Sequence, residues 1–162
     1  MSIRRLLSAA VVCTGMIALG HSTAAAQGTP LFAVLVGGNE VNPSTGGANA
    51  GDTNAFGSAT VIIRGKATLC WAILVTALDT PNAAHIHGAR AGINGPIRVT
   101  LAPPKDDLGQ NFGNPGTASG CITDPSTDFI ATLKSLKANP ANFYINVHSG
   151  SFPAGGVRGQ LF

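Results

Sequence analysis

Three histidines have the residue type and spacing best suited to chemistry. His85 and His87 lie in the sequence Ala-His-Ile-His-Gly, and His148 follows Asn146-Val147 near the C-terminus, whereas His21 belongs to an N-terminal segment considered below. Side chains two residues apart on a β-strand point to the same face, with Cα atoms roughly 6.5–7 Å apart. His85 and His87 are therefore spaced to bind one metal ion together, with His148 arriving from a neighbouring strand.

The three histidines predict copper or zinc as a cofactor. Imidazole nitrogens are common ligands of both copper(II) and zinc, so we expect His85, His87 and His148 to be metal ligands. Asn146 shares the strand face of His148 and is expected to orient these ligands without binding the metal itself. The alternative is structural, with the histidines hydrogen-bonded to loop backbone and holding residues 88–96 in place. The residue pattern leaves both interpretations open.

The N-terminal segment has the pattern of a secretory signal peptide. Arg4-Arg5 precedes an apolar run over residues 6–19, and Ala24-Ala25-Ala26 provides a small-residue cleavage site. The apolar run is shorter than the roughly 18 residues that cross a bilayer. We therefore predict that residues 1–26 are removed on export to the periplasm or beyond. Residues 27–162 are then expected to form one domain without a membrane span.

The predicted mature chain is nearly neutral. Without residues 1–26 it keeps eight lysines and arginines against seven aspartates and glutamates, a net charge of +1 compared with +3 for the full chain. The sequence contains no basic stripe, so nucleic acid is not an expected partner.

Two cysteines remain in the predicted mature chain, Cys70 and Cys121. A cysteine pair in an exported protein is usually a disulfide, and we predict this bond here. The chain-entropy model gives roughly 4 kcal/mol of stabilisation for a loop of this length. The alternative is a pair of unbonded buried thiols.

Short β-type segments separated by turn residues dominate the mature chain. One helix is expected to begin at Ser126 or Thr127, to end before Pro140 and to cover the core with its apolar stripe. The overall prediction is all-β, a Greek-key β-sandwich or barrel with one short helix. Runs of apolar and β-branched residues predict strands at 31–36, 58–64, 67–78, 83–87, 97–101, 120–123, 143–148 and 157–162.

Several motifs together resemble the chordin-type domain, abbreviated CHRD. The matching stretches are Gly38–Val41, Ala84–Gly88, Asn94–Pro96, Tyr144–His148 and Phe152–Leu161. The resemblance implies an extracellular β-domain rather than a known reaction. The family includes repeats in chordin, an antagonist of growth-factor signalling, and single exported bacterial domains, and we expect this chain to be of the single-domain exported form.

Three classes of function follow from these observations. The residues favour a non-enzymatic exported binding module with a three-histidine copper or zinc site. The second class is an extracellular protein-interaction or adhesive module with structural histidines and a protein partner. The third is a copper enzyme with superoxide dismutase-like chemistry, which is less favoured because no carboxylate lies near the histidines in the sequence.

One charge pair is also predicted. Glu40 and Arg158 belong to separate motif stretches in a chain with few charges. We predict that they form an ion pair between the first and last strand regions. The alternative is two solvated side chains.

Overall fold

The computed structural model describes residues 28–105 and 116–162, so the predicted signal peptide lies outside the described residues. Within these ranges the chain forms eight strands, one α-helix and two short 3-10 turns, at Gly37–Asn39 and Pro140–Asn142. The strands and the helix are β1 Thr29–Val36, β2 Phe56–Arg64, β3 Thr68–Thr76, β4 Pro81–Gly88, β5 Ile97–Leu101, β6 Gly116–Thr123, α1 Thr127–Ala138, β7 Phe143–Ser149 and β8 Val157–Gln160.

All eight described strands belong to one antiparallel sheet, with the order β5-β4-β7-β8-β1-β2-β3-β6. The two outermost strands approach each other, because Lys105, just past β5, and Thr117 of β6 exchange backbone hydrogen bonds of 2.7 and 2.8 Å. The sheet therefore curls into a nearly closed barrel. The all-β prediction with a single short helix is confirmed for the described residues.

Alternation of side chains along each strand builds the barrel core. In β1, Leu31, Ala33 and Leu35 are buried, whereas Phe32 and Val34 face outwards. Successive side chains of a strand point to opposite faces of the sheet, so this pattern places the apolar residues inside. The same alternation in β2 and β3 continues the core across the neighbouring strands.

Helix α1 packs its apolar side on this core through Phe129, Leu133 and Leu136. The helix begins as predicted, since the Ser126 hydroxyl accepts a hydrogen bond from the Phe129 amide. At its other end Lys137 donates to the Gly65 carbonyl in the β2–β3 turn. With 12 residues α1 is short, and the described part of the chain has no helix long and apolar enough to cross a bilayer.

A disulfide joins the edge strand β6 to β3. Cys70 and Cys121 lie directly opposite each other, with their Cα atoms 4.0 Å apart, in agreement with the predicted bond. The next residue, Trp71, points to the other face and is 9% exposed in the barrel core. Its indole packs against Gly120, where an added Cβ would lie 2.8 Å from the ring.

Candidate metal centre

The pairing of β4 with β7 brings the three predicted ligands together. His148 lies opposite Ala83, and Asn146 lies opposite His85. Directly opposite residues of an antiparallel pair project from the same face, so the histidines share the outer face of the barrel. His85 Nδ1 lies 3.0 Å from His148 Nε2, and one ring nitrogen from each of the three histidines lies within 4.8 Å of the others.

Three connecting segments cover this outer face: residues 37–55 between β1 and β2, 89–96 between β4 and β5, and 150–156 between β7 and β8. They are bonded to one another, since Asn94 Nδ2 donates to the Val41 carbonyl at 2.9 Å and the Asp52 amide to the Gly156 carbonyl at 2.8 Å. The outer face that carries the histidines is consequently shielded from bulk water, and His87 is 8% exposed. His85 and His148 are half-buried, which leaves the cluster accessible from one side.

Backbone carbonyls determine which nitrogen of two histidines carries a proton. His87 Nδ1 lies 2.8 Å from the Gly95 carbonyl oxygen, and His148 Nδ1 lies 3.0 Å from the Pro153 carbonyl oxygen. A carbonyl oxygen accepts and cannot donate, so both Nδ1 atoms donate their protons. In the neutral rings the lone pair therefore lies on Nε2, which is the nitrogen that binds a metal in this tautomer. The lone pair of His148 accepts a hydrogen bond from His85 Nδ1 at 3.0 Å.

Burial keeps the three rings neutral. It lowers the pKa of His85 to about 4, with a further contribution from the neighbouring His148 and His87. Burial also lowers the pKa of His87, assisted by the positive charge of Arg158 and opposed by the Gly95 carbonyl. The pKa of His148 is lowered in the same way, against the effect of its carbonyl partner. Neutral imidazoles bind metal without first losing a proton.

A stacked column of side chains orients His87. The imidazole lies parallel to the Tyr144 ring, with 4.8 Å between centroids and 9° between planes. The guanidinium of Arg158 also stacks on the Tyr144 ring, 3.4 Å from its centroid. Tyr144 Oη accepts a hydrogen bond from the Gly95 amide at 3.2 Å. Because Gly95 also binds His87, the column and the covering loop restrict the imidazole from two directions.

Arg158 is directed mainly at the loop between β4 and β5. Its Nη2 donates to the carbonyls of Arg90 and Ile93 at 3.0 and 2.8 Å, and its Nη1 donates to Asn94 Oδ1 at 3.2 Å. The side chain is 1% exposed. These bonds anchor the loop that supplies the Gly95 carbonyl to His87.

Glu40 is buried close to this network. It is 2% exposed, and a Cβ added to Gly155 would overlap its carboxyl oxygens. Burial raises the pKa of Glu40 to about 7, although the charge of Arg158 and a hydrogen bond from Asn146 lower it. The charges of Glu40 and Arg158 therefore interact, while the described hydrogen bonds of the guanidinium go to the 90–94 loop. A direct ion pair stays a prediction.

The donor set fits copper(II) or zinc. Nitrogen ligands at about 2.0–2.1 Å from a metal lie at most about 4.2 Å apart, so the widest pair of histidine nitrogens has to close by up to about 0.6 Å. The 3.0 Å between His85 Nδ1 and His148 Nε2 is a hydrogen-bond distance, so His85 would have to shift its proton to the other ring nitrogen for both atoms to bind one ion.

Asn146 was expected beside the ligands, but Tyr144 and the carbonyls of Gly95 and Pro153, which also hold them in place, were not predicted from the sequence. Tyr144 could have been found by alternation, because it shares a strand face with Asn146 and His148. The carbonyls of Gly95 and Pro153 carry no such signal, since any residue type offers the same backbone oxygen. The two interpretations left open by the sequence are compatible, because the loop-bonded rings of His87 and His148 still carry a lone pair on Nε2.

Comparison with known proteins places the chain in a family. The CHRD domain family matches residues 31–161, and the chain therefore belongs to the CHRD domain family. All the residues of the histidine cluster and its supporting network lie inside the matched range. A comparison with curated protein sequences finds no significant match.

Proposed function

We propose that this protein is an exported, non-enzymatic binding module that holds one copper(II) or zinc ion with His85, His87 and His148. The observation that carries the proposal is the convergence of three neutral imidazoles, two with their Nδ1 atoms bound to carbonyls. This arrangement of a metal-binding nitrogen on one side and a carbonyl on the other is typical of histidine metal ligands. Membership of the CHRD domain family supports a binding role.

Isothermal titration of metal-stripped, untagged protein with copper(II) and with zinc tests the proposal. Wild type should take up one ion per chain. Each of His85→Ala, His87→Ala and His148→Ala should weaken binding by at least about 100-fold, because loss of a supporting residue alone commonly costs 10–100-fold. Asn82→Ala, an exposed change on the same strand β4, is the matched control and should bind as wild type. Equal and weak uptake by wild type and the triple alanine variant would leave the histidines structural.

The pH dependence of binding follows from the lowered pKa values. Unperturbed imidazoles gain protons, and so lose metal, below about pH 6.5. Burial holds the pKa of His85 at about 4, and the pKa values of the other two histidines are also lowered. Copper binding should therefore persist below pH 6.5 before protons compete. A midpoint at pH 6.5 would show that the rings are not desolvated in solution.

We also propose that residues 1–26 direct export and are cleaved, leaving residues 27–162 in the periplasm or secreted. The basic start, short apolar run and Ala24-Ala25-Ala26 support this proposal. The disulfide between Cys70 and Cys121 suits an oxidising compartment. N-terminal sequencing of protein recovered from the periplasm or medium should begin at Gln27, and an intact Met1 terminus would contradict cleavage.

An extracellular protein-interaction module is the second candidate function. Family membership suggests it, and exposed rings on the outer face of β1 and β2 favour it. Phe32 and Phe56 are 44% and 57% exposed, and Phe162, 65% exposed, lies beside Phe32 with 6.2 Å between ring centroids. This candidate predicts that the triple histidine variant keeps full function in any partner-binding assay, whereas the metal-site proposal predicts loss of metal uptake.

A further inference from the structure

Three buried polar atoms beside the histidine cluster have no hydrogen-bond partner: His87 Nε2, Asn146 Oδ1 and Glu40 Oε1. Their residues are 8%, 2% and 2% exposed, so they are withdrawn from surface water. Asn146 lies within hydrogen-bonding reach of the other two residues, and its side chain acts to lower the pKa of Glu40 and to raise that of His87. In the described part of the chain a fourth such atom, Trp71 Nε1, belongs to the distant strand β3.

All three atoms are acceptors when Glu40 is ionised. His87 Nε2 is a lone pair because Nδ1 donates to Gly95, and Asn146 Oδ1 and an ionised Glu40 carboxylate can accept but not donate. Buried acceptors without a donor are rare in native proteins and call for a bound donor or ion. A metal ion held by the histidines satisfies His87 Nε2 and leaves two acceptors. One water molecule has two protons to donate.

We propose that Asn146 Oδ1 and Glu40 Oε1 accept the two protons of a single water molecule that fills the open coordination position of the metal. This inference rests on the proposed three-histidine metal site. Three protein nitrogens leave at least one position of a tetrahedral or tetragonal metal free, and a buried water needs two to four polar partners. The metal and the two oxygens supply three.

The surrounding backbone holds the acceptors in place. The Glu40 carboxyl packs directly on Gly155, and an added Cβ at Gly51 would lie 2.8 Å from Glu40 Cγ. Asn146 occupies the middle of β7, between His85 on β4 and Arg158 on β8. A ligand at this position is thus selected for donating two hydrogen bonds, and an anion that can only accept is disfavoured.

Electron-nuclear double resonance of protein loaded with one equivalent of copper(II) tests the water. The wild-type spectrum should show nitrogen couplings from three imidazoles and strongly coupled protons that disappear in D₂O. Absence of the imidazole couplings would overturn the metal site itself. Three imidazole couplings without the strongly coupled exchangeable protons would overturn the water alone, as expected if a protonated Glu40 or a rotated Asn146 amide satisfied these atoms internally.

Two variants assign the protons to their acceptors. Asn146→Leu should keep the three imidazole couplings and lose or strongly shift the exchangeable protons. Glu40→Gln, which preserves the size of the side chain, should alter the coupling of one proton. This variant still tests the assignment if Asn146→Leu fails to fold. Asn82→Leu, at an exposed position near the start of β4, is the matched control and should leave the spectrum unchanged. Unaltered couplings in both test variants would contradict the assignment.

Discussion

Two outer faces of the same barrel differ in what covers them. On the outer face of β4, β7 and β8, which we call the covered face, Asn146 and Arg158 are 2% and 1% exposed beneath three loops. On the outer face of β1, β2, β3 and β6, which we call the open face, Val34 and Phe56 are 62% and 57% exposed. The inner surfaces of both halves are apolar. The loops therefore create the difference, and the strands alone do not.

The comparison shows where burial serves something other than stability. A buried polar group costs free energy unless it is hydrogen-bonded, so an apolar covered face would be the simpler way to pack three loops on a sheet. This chain instead buries His87, Asn146, Glu40 and Arg158 there. The proposed metal ion and its water would complete the hydrogen bonds and coordination of these groups.

The largest expected effect concerns the open face. Replacing Cys70 and Cys121 with serine should lower the free energy of unfolding by roughly 4 kcal/mol, because the disulfide closes a long loop in the unfolded chain. Copper affinity should stay unchanged, since the bond lies on the opposite half of the barrel. Urea denaturation with a parallel metal titration measures both, and reduced wild type is the control. A loss below about 1 kcal/mol, or a matching loss of copper affinity, would contradict the separation of the two faces.

Glu40→Gln should stabilise metal-stripped protein at high pH. The folded-state pKa of Glu40 is raised from 4.5 to about 7, so its contribution to stability is fully present below pH 4.5 and lost as pH rises through 7. Glutamine mimics the neutral carboxyl at every pH. Above pH 7 the free energy of unfolding of the variant should therefore exceed that of wild type by about 3 kcal/mol, since each pKa unit is about 1.4 kcal/mol. Below pH 4.5 the two proteins should unfold alike.

Thermal or urea unfolding at pH 4 and pH 8 measures this difference. Asp128→Asn, at an exposed position in the first turn of α1, is the control and should show no comparable gain. An equal effect of Glu40→Gln at both pH values would mean that the carboxyl is solvated and that the covered face is more open than described.

A smaller effect is expected from the interaction between Glu40 and Arg158. A double-mutant cycle with Glu40→Gln and Arg158→Met should give a coupling of about 0.5–1 kcal/mol at pH 8, because both charges are buried without direct hydrogen bonding between them in the described residues. The coupling should fall at pH 4, where Glu40 is neutral. A value below about 0.3 kcal/mol, the low end for exposed pairs, would remove the predicted interaction.

The smallest effect is expected for a conservative change on the open face. Val34→Thr should alter the free energy of unfolding by less than about 0.5 kcal/mol, because Val34 is 62% exposed and threonine suits a strand equally well. Val61→Thr, the same change at a fully buried position of the adjacent strand, should cost about 1–3 kcal/mol by burying a hydroxyl. Equal costs at both positions would show that the open face is covered in solution.

The strands could be predicted from sequence because alternation is local. The predicted span 97–101 matches β5, and the predicted start and end of β2 and β7 differ from the observed ones by two residues or fewer. β6 was predicted as residues 120–123 but begins at Gly116, since Gly-Thr-Ala-Ser lacks apolar alternation. Pairing with β3 along its whole length, from Val75–Gly116 to Thr68–Thr123, makes this weak segment a strand.

The histidine cluster could be predicted only in part. The spacing of His85 and His87 shows that they share a face, but nothing local places His148 beside them. Its position depends on β4 pairing with β7 across the 54 residues, 89–142, that separate the two strands. The burial of Glu40 and the carbonyl partners of the histidines arise from loop packing, which leaves no periodic signal.

The metal content of untagged protein purified from the periplasm tests the central claim most directly. We expect close to one copper or zinc ion per chain in wild type, and almost none in the variant with His85, His87 and His148 all replaced by alanine, purified in parallel. The triple variant should still contain the disulfide and unfold cooperatively. Metal-free wild type that also fails to bind added copper(II) or zinc, or equal metal content in the two proteins, would contradict the account.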